Sequence, residues 1–305
     1  MSLPKTKISL LIATKNRRED LFLTLQNIKP LLEKNDIECV VFDDGSTDGT
    51  SQMLQNDYPS IKLLKNEISK GYIFCRNKML NETTADYAIS LDDDAHFLTE
   101  NPIEIIENYF SENLKCGLLA LRIYWNKNKL KNESTKDTSQ IVKSYVGCGH
   151  VWRMKAWKEI ANYPEWFEFY GEENFAALQL FKKKWEIHYL PNILVQHRVD
   201  LKTRTITNKD FGFRYRRALR ADWFNFFMFY PKFEIVKKMT YSIAMQFKNK
   251  IFKGDFKVIK PLFLALFDVI IKFPKIVKNK KRFTSVEYQN YMKLNDAKIY
   301  WNPEK

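Results

Sequence analysis

A chain of 305 residues with 45% hydrophobic content, 9 Gly and 10 Pro can hold one large α/β domain with appendages or two modest domains, and is not a low-complexity protein. Its four cysteines, Cys39, Cys75, Cys116 and Cys148, lack CxxC spacing; this argues against a zinc site or a disulfide framework and suits core thiols in a reducing compartment. The net charge of +14 is unevenly spread, because from Pro231 to Arg282 fourteen Lys or Arg stand against Glu234, Asp255 and Asp268.

The opening from Met1 to Lys7 shows no signal peptide, so cytoplasmic residence is the expectation. Ile8-Ser9-Leu10-Leu11-Ile12-Ala13 reads as a buried strand, and residues 18–32 carry apolar side chains at Leu21, Leu25, Ile28, Leu31 and Leu32 with helical period. Residues 37–42 form the next strand, which runs into Asp43-Asp44-Gly45-Ser46. A helix opening near Asp48 or Thr50, a short strand at 61–64, a helix at 71–80 and a strand at 87–91 follow. This alternation predicts a mostly parallel sheet flanked by helices, with ligands at the carboxyl ends of its strands. The loops found there, after Ala13, Phe42 and Leu91, are all polar and two are acidic.

Past Lys115 the pattern loosens. A strand at 117–123 precedes a polar stretch at 126–140 that reads as a loop or hairpin, and then a glycine-punctuated segment at 145–153. A helix at 172–184, strands at 187–191 and 193–197, and amphipathic helices from Lys202 onward complete the pattern. Asp92-Asp93-Asp94, at the end of the strand at 87–91, is the most informative cluster. Carboxylates a few ångströms apart repel and resist desolvation. A divalent cation removes that penalty, and Mg²⁺ or Mn²⁺ with oxygen ligands is the usual partner of phosphates. The same residues would also serve as a helix cap or a polar turn.

Taken in order, the motifs resemble the inverting family-two glycosyltransferases of the GT-A fold, of the bacterial surface-glycan type. Ile8 to Arg17 is similar to that family's first strand and nucleotide-contacting turn. Val40-Val41-Phe42-Asp43-Asp44-Gly45-Ser46-Thr47-Asp48 resembles its VDDGSTD stretch, Lys70-Gly71-Tyr72-Ile73-Phe74-Cys75-Arg76-Asn77 its GxxxARN segment, and Asp92-Asp93-Asp94 its DxD motif. The resemblance implies a nucleoside-diphosphate-sugar donor held by Ala13, Thr14, Asn16, Asp43, Asp44, Arg76, Asp92 and Asp93. In that scheme Asp44 accepts from the base imide, Asp43 caps the turn or touches the base side, and Arg76 pairs with the nucleotide or with Asp44. Asp94 and His197 hold Mn²⁺ or Mg²⁺, Asp92 faces the ribose or the water shell of the cation, and Asp93 points away. Glu173 is the implied base with Glu172 as its acidic neighbour, although the family's common ED is EE here and both suit any helix N-terminus. His150 and Trp152 fall on the implied acceptor side, while His96 and His188 read as structural or solvated.

The expected division is a glycosyltransferase domain over 1–203 and a basic helical region over 204–305. The longest apolar run of that region, broken by Asp268, is shorter than the ~20 residues of a membrane span. Lysines interleaved with bulky apolar residues suit a helix lying on an anionic inner leaflet, where lipid-linked or other glycan acceptors are assembled. A plain solvated face is the alternative, and nucleic acid is not the expected partner. Two competing functions are a sugar nucleotidyltransferase, disfavoured by the glycine-free loop Ala13 to Arg17, and a non-catalytic binding module on the same fold.

Overall fold

A computed structural model describes residues 8–128, 130, 132–199 and 210–301. Strand β1 (Ile8–Thr14) is buried along its length, as a continuous apolar run requires when both faces of a sheet are covered. It lies between β2 (Ile37–Asp44) and β4 (Tyr87–Asp92), parallel to both, and β3 (Lys62–Asn66) continues the parallel set beyond β2. The helices α1 (Arg18–Asn27), α2 (Lys29–Leu32), α3 (Thr50–Asp57) and α4 (Tyr72–Glu82) link these strands. The single helical period at 18–32 is divided at Ile28 because Pro30 has no N–H to donate and starts a second short helix. Register places Ala13 beside both Phe42 and Asp92, so the three polar loops leave one edge of the sheet together.

Past β4 the sheet is mixed. After β5 (Ala95–Phe97) and α5 (Pro102–Glu112), strand β6 (Cys116–Trp125) is parallel to β9 (Glu186–His197). Strand β8 (Gly149–Arg153) runs antiparallel to β4 and β6, and β5 and β7 (Gln140–Val142) run antiparallel to β9. The order is β3-β2-β1-β4-β8-β6-β9-β5, with β7 also paired to β9. Parallel pairing therefore organises the half of the sheet whose helical crossovers show in the sequence. The two strands expected at 187–191 and 193–197 are one strand. Its register against β6 slips after Leu121, where Pro191 cannot donate to the ladder.

Short α6 (Met154–Lys158) precedes α7 (Glu172–Lys182), and among the described residues four more helices follow: α8 (Phe211–Phe229), α9 (Lys232–Asn249), α10 (Ile259–Lys278) and α11 (Ser285–Lys293). Alternate β1 residues feed two cores. Ile8, Leu10 and Ile12 pack with Val41, Ile89 and Phe110, while Leu11 packs on the side holding Trp152, Phe175, Trp223 and Ala265. The second core runs from the sheet through α7 and α8 to α10, so the helical extension shares it. The expected boundary at 203/204 lies outside the described residues. After α11 the chain returns to the sheet, where Asn295 bridges Val142 and Trp301 bridges Tyr124. All four cysteines are buried and unpaired. Among the described residues, no helix is long and apolar enough to cross a membrane.

Candidate active site

The strand ends open into a cleft of about 1270 Å³, above the ~300–1,000 Å³ usual for one small ligand. Asp92, Asp94 and His197 meet at its floor, with one ligand-capable atom from each lying within 4.8 Å of the others. Each carboxylate is anchored through one oxygen and turns the other toward the histidine. Asp92 Oδ1 accepts from Tyr72 Oη at 2.9 Å and Arg76 Nη2 at 2.8 Å, and Asp92 Oδ2 stands 3.9 Å from His197 Nε2. Asp94 Oδ2 accepts from Arg17 Nη2 at 2.6 Å, and Asp94 Oδ1 lies 3.0 Å from the same His197 nitrogen. Burial disfavours the Asp94 charge, yet His197 and Arg17 outweigh it and hold the group well below the usual carboxylate range. Burial likewise opposes protonation of His197, but Cys148 and Asp94 push it up to about 11. A set of two carboxylates and one imidazole fits Mn²⁺ or Mg²⁺, and a bound cation would replace His197 protonation as the partner of Asp94. Sequence motifs placed Asp94 and His197 here; the structure adds Asp92 to them.

Asp93 borders the cleft but does not join this cluster. Its Oδ2 accepts from Thr14 Oγ1 at 2.8 Å and its Oδ1 lies 3.2 Å from Arg17 Nε. Burial, with Asp94 beside it and Arg17 opposing, raises its pKa to about 7. Asp43 is wholly buried and committed to its turn, accepting from Ser46 N at 2.8 Å and from Ser51 Oγ. Asn16 joins the first two loops: its N–H donates to Ser46 Oγ at 2.8 Å, and its Oδ1 accepts from Thr47 N at 2.7 Å.

Asp44 requires a correction. It borders the cleft, but its carboxylate accepts from Asn66 Nδ2, Ser69 Oγ, Lys70 N and Gly71 N. Those donors use the roughly four acceptor positions of a carboxylate, so none is free for a base imide. Although burial opposes ionisation, the four bonds hold Asp44 below the usual range. The group orders the loop that opens α4. The alternative pairing of Arg76 with Asp44 is also corrected: the guanidinium reaches Asp92 at 2.8 Å and Gly147 O at 2.7 Å, over the Tyr72 ring.

Glu172 and Glu173 open α7 after Gly171, whose φ of 81° favours glycine. Glu172 is buried, and its Oε2 has no hydrogen-bond partner among the described residues. Burial and the adjacent Glu173 push its pKa well above the carboxylate range. Glu173 is half-buried, lines the cleft and lies against Gly147, where a Cβ would come within 2.2 Å of its Oε1. Its pKa is raised by burial, with Arg76 opposing and Asp92 reinforcing.

His150 and Trp152 do not reach the acceptor side. Both are fully buried, and Trp152 Nε1 donates to Tyr163 Oη at 3.3 Å, because β8 is an interior strand with both faces covered. His96 bonds Arg198 at 2.6 Å, and His188 lies between Tyr109 and Glu186. The residues the sequence left unmarked are Tyr72, Gly147, Arg214 and Arg217, with the returning segment Asp296, Ala297 and Ile299 along the rim. Tyr72 stood inside a quoted motif and Gly147 in the glycine-punctuated segment, whereas nothing in the pattern signalled the return of 296–299.

The family model for glycosyl transferase family 2 matches residues 9–160, which carry the three strand-end loops and the aspartates. Residues 9–160 are a glycosyl transferase family 2 domain. A curated relative, the uncharacterized glycosyltransferase YfnE of Bacillus subtilis (strain 168), is 34% identical over 125 residues, 39% of this chain and 31% of that protein. The chain thus spans about a third of that relative's length. The mannosyltransferase PcManGT from Pyrobaculum calidifontis, solved with GDP-Man and Mn²⁺, superposes with a TM-score of 0.54 at 13% identity, over 72% of this chain and 63% of that one. S. aureus TarS 1-349 in complex with UDP gives 0.51 at 17% identity, over 70% and 65%. These likenesses show a mixed α/β fold of the GT-A type.

Proposed function

We propose that this family-two protein is a metal-dependent inverting transferase that moves a sugar from a nucleoside diphosphate to a hydroxyl in cell-surface glycan synthesis. The observation that carries the reading is the convergence of Asp92, Asp94 and His197 on the cleft floor, with Glu173 on the same cleft's wall. Asp92, Asp94 and His197 would hold Mn²⁺ or Mg²⁺, and the bound ion supplies Lewis-acid neutralisation of the departing diphosphate. Tyr72 and Arg76 fix Asp92, and Arg17 fixes Asp94, so the floor is set before the donor arrives. Glu173 takes the proton from the acceptor hydroxyl as that oxygen attacks the anomeric carbon opposite the leaving group. Burial and the adjacent Glu173 raise Glu172 above the usual carboxylate range, which disfavours a second negative charge beside the base. The reading also draws on the Mn²⁺, GDP-Man and UDP named with the two solved relatives. The helical extension would hold the enzyme peripherally on the cytoplasmic face of the inner membrane.

The test is transfer from UDP-, GDP- and dTDP-sugars to a panel of hydroxyl acceptors in Mn²⁺, with the anomeric configuration of the product read by NMR. Transfer with inversion, lost in Glu173→Gln, is expected. Retention of configuration, or full activity in Glu173→Gln, would contradict the mechanism.

A further inference from the structure

Two apolar stripes on the extension are uncovered among the described residues. On α9, Phe233, Val236, Tyr241 and Phe247 are between 37% and 91% exposed. Phe233, Val236, Thr240, Ala244 and Phe247 recur every three or four positions along one face, with Tyr241 beside them, while Ile235 is buried on another. On α10, Phe263, Phe267, Ile270, Ile271 and Val277 are between 48% and 69% exposed, and Leu262, Ala265, Val269 and Ile276 point into the core. Single exposed apolar residues are ordinary, but two full stripes on helices that pack against the same α8 are not.

The surrounding charge identifies the occupant. Thirteen lysines lie between Lys232 and Lys281, opposed only by Glu234, Asp255 and Asp268. Asp268 is already neutralised by Arg216 and Arg220 of α8. Lys237 and Lys248 flank the α9 stripe, and Lys260, Lys275 and Lys278 flank the ends of the other. Long lysine stems follow an apolar surface while their ammonium groups stay in the polar layer, which matches an acyl boundary beneath anionic headgroups. A nucleic-acid backbone would leave Ile270 and Ile271 without a partner, since phosphates recognise the rim and not the aliphatic centre.

Deepening the peripheral placement proposed above, we infer that the exposed faces of α9 and α10 dock on an anionic phospholipid leaflet, with the Phe and Ile stripes in the acyl boundary and the lysines among the headgroups. Docking is transmitted to the site through α8. Arg216 and Arg220 tie this helix to α10, while Arg214 and Arg217 of the same helix line the cleft. A leaflet that holds α10 therefore fixes one wall of the cleft relative to the membrane.

The experiment is sedimentation of the full chain with vesicles of phosphatidylcholine alone, or mixed with phosphatidylglycerol, at low and high salt. Binding to the mixed vesicles is expected, at least about tenfold stronger than to phosphatidylcholine and weakened by salt. The double variant Phe267→Glu/Ile270→Glu should lose at least about tenfold in partition while its melting temperature and Mn²⁺-nucleotide binding match the parent. Absence of binding by the parent, equal binding by the variant, or a parent dimer that the variant splits without any vesicle binding would each overturn the inference. Nucleotide binding is read separately, so failure of docking is distinguishable from failure of the transferase reading.

Discussion

Glu172 and Glu173 share the first turn of α7 but meet different surroundings. Both border the cleft, but the first is buried with one carboxylate oxygen lacking a partner among the described residues, whereas the second is half-buried and lies against Gly147. A general base works in its ionised form, and burial lifts Glu173 above its ordinary value of 4.5. Its ionised fraction therefore falls as pH drops through that raised value. The profile of kcat/KM against pH should show an acidic limb above 4.5. Glu173→Gln should remove that limb and lower kcat by about 10²–10⁴-fold. Gly147 tests the position of the base without touching its chemistry. Its backbone lies outside the left-handed region, so alanine is tolerated there, but the new Cβ would come 2.2 Å from Glu173 Oε1 and displace it. Gly147→Ala should reduce kcat by about 10²-fold, the scale of an ångström misplacement, with the melting temperature nearly unchanged. Parent-like turnover would mean that the carboxylate does not act from this position.

At the level of elements, α8 joins the sheet domain to the extension. Arg220, 4% exposed, donates to Asp268 of α10 at 3.1 Å, to Phe167 O at 2.9 Å and to Glu168 at 2.8 Å. Glu168 and Tyr170 have positive φ, 69° and 72°, which non-glycine residues adopt at a cost, so the loop entering α7 is costly to hold. Arg217 and Arg220 grip it at Glu168, and Asn225 Nδ2 donates to Gly171 O at 3.0 Å. Burial opposes the Asp268 charge, but Arg216 and Arg220 hold it below the usual range. Arg220→Met should cost about 2–3 kcal/mol in urea unfolding, less than the ~3–5 of a fully orphaned buried charge because Arg216 remains. It should also lower kcat more than it changes the donor KM, because the loop it holds leads into Glu173, the proposed base. Unchanged stability and unchanged turnover together would refute this role for α8. The amphipathic period of the helices was visible in the sequence, but this clamp was not. Its partners lie 48 to 53 positions apart, and no local pattern marks them.

On the scale of the whole molecule, an acidic site at the ends of parallel strands is joined to a strongly basic helical region. The first is legible because strand-helix alternation fixes where loops emerge: Asp92 and His197 end strands that topology brings together, and Asp94 sits in the turn just after Asp92. What stayed hidden depends on partners from distant segments. The use of Asp44 depends on donors 22 to 27 residues away, and the burial of His150 and Trp152 depends on β8 taking an interior place in the sheet. The central claim is that the cleft binds a nucleoside diphosphate through a divalent cation held by Asp92, Asp94 and His197. Its most direct test is calorimetric titration with UDP, GDP and dTDP, each in Mn²⁺ and in EDTA, for the parent and Asp94→Ala. The account predicts that one nucleotide binds the parent only with Mn²⁺ and that Asp94→Ala loses this binding. Equal affinity in EDTA, unchanged affinity of Asp94→Ala at saturating Mn²⁺, or no binding of any of the three would contradict it.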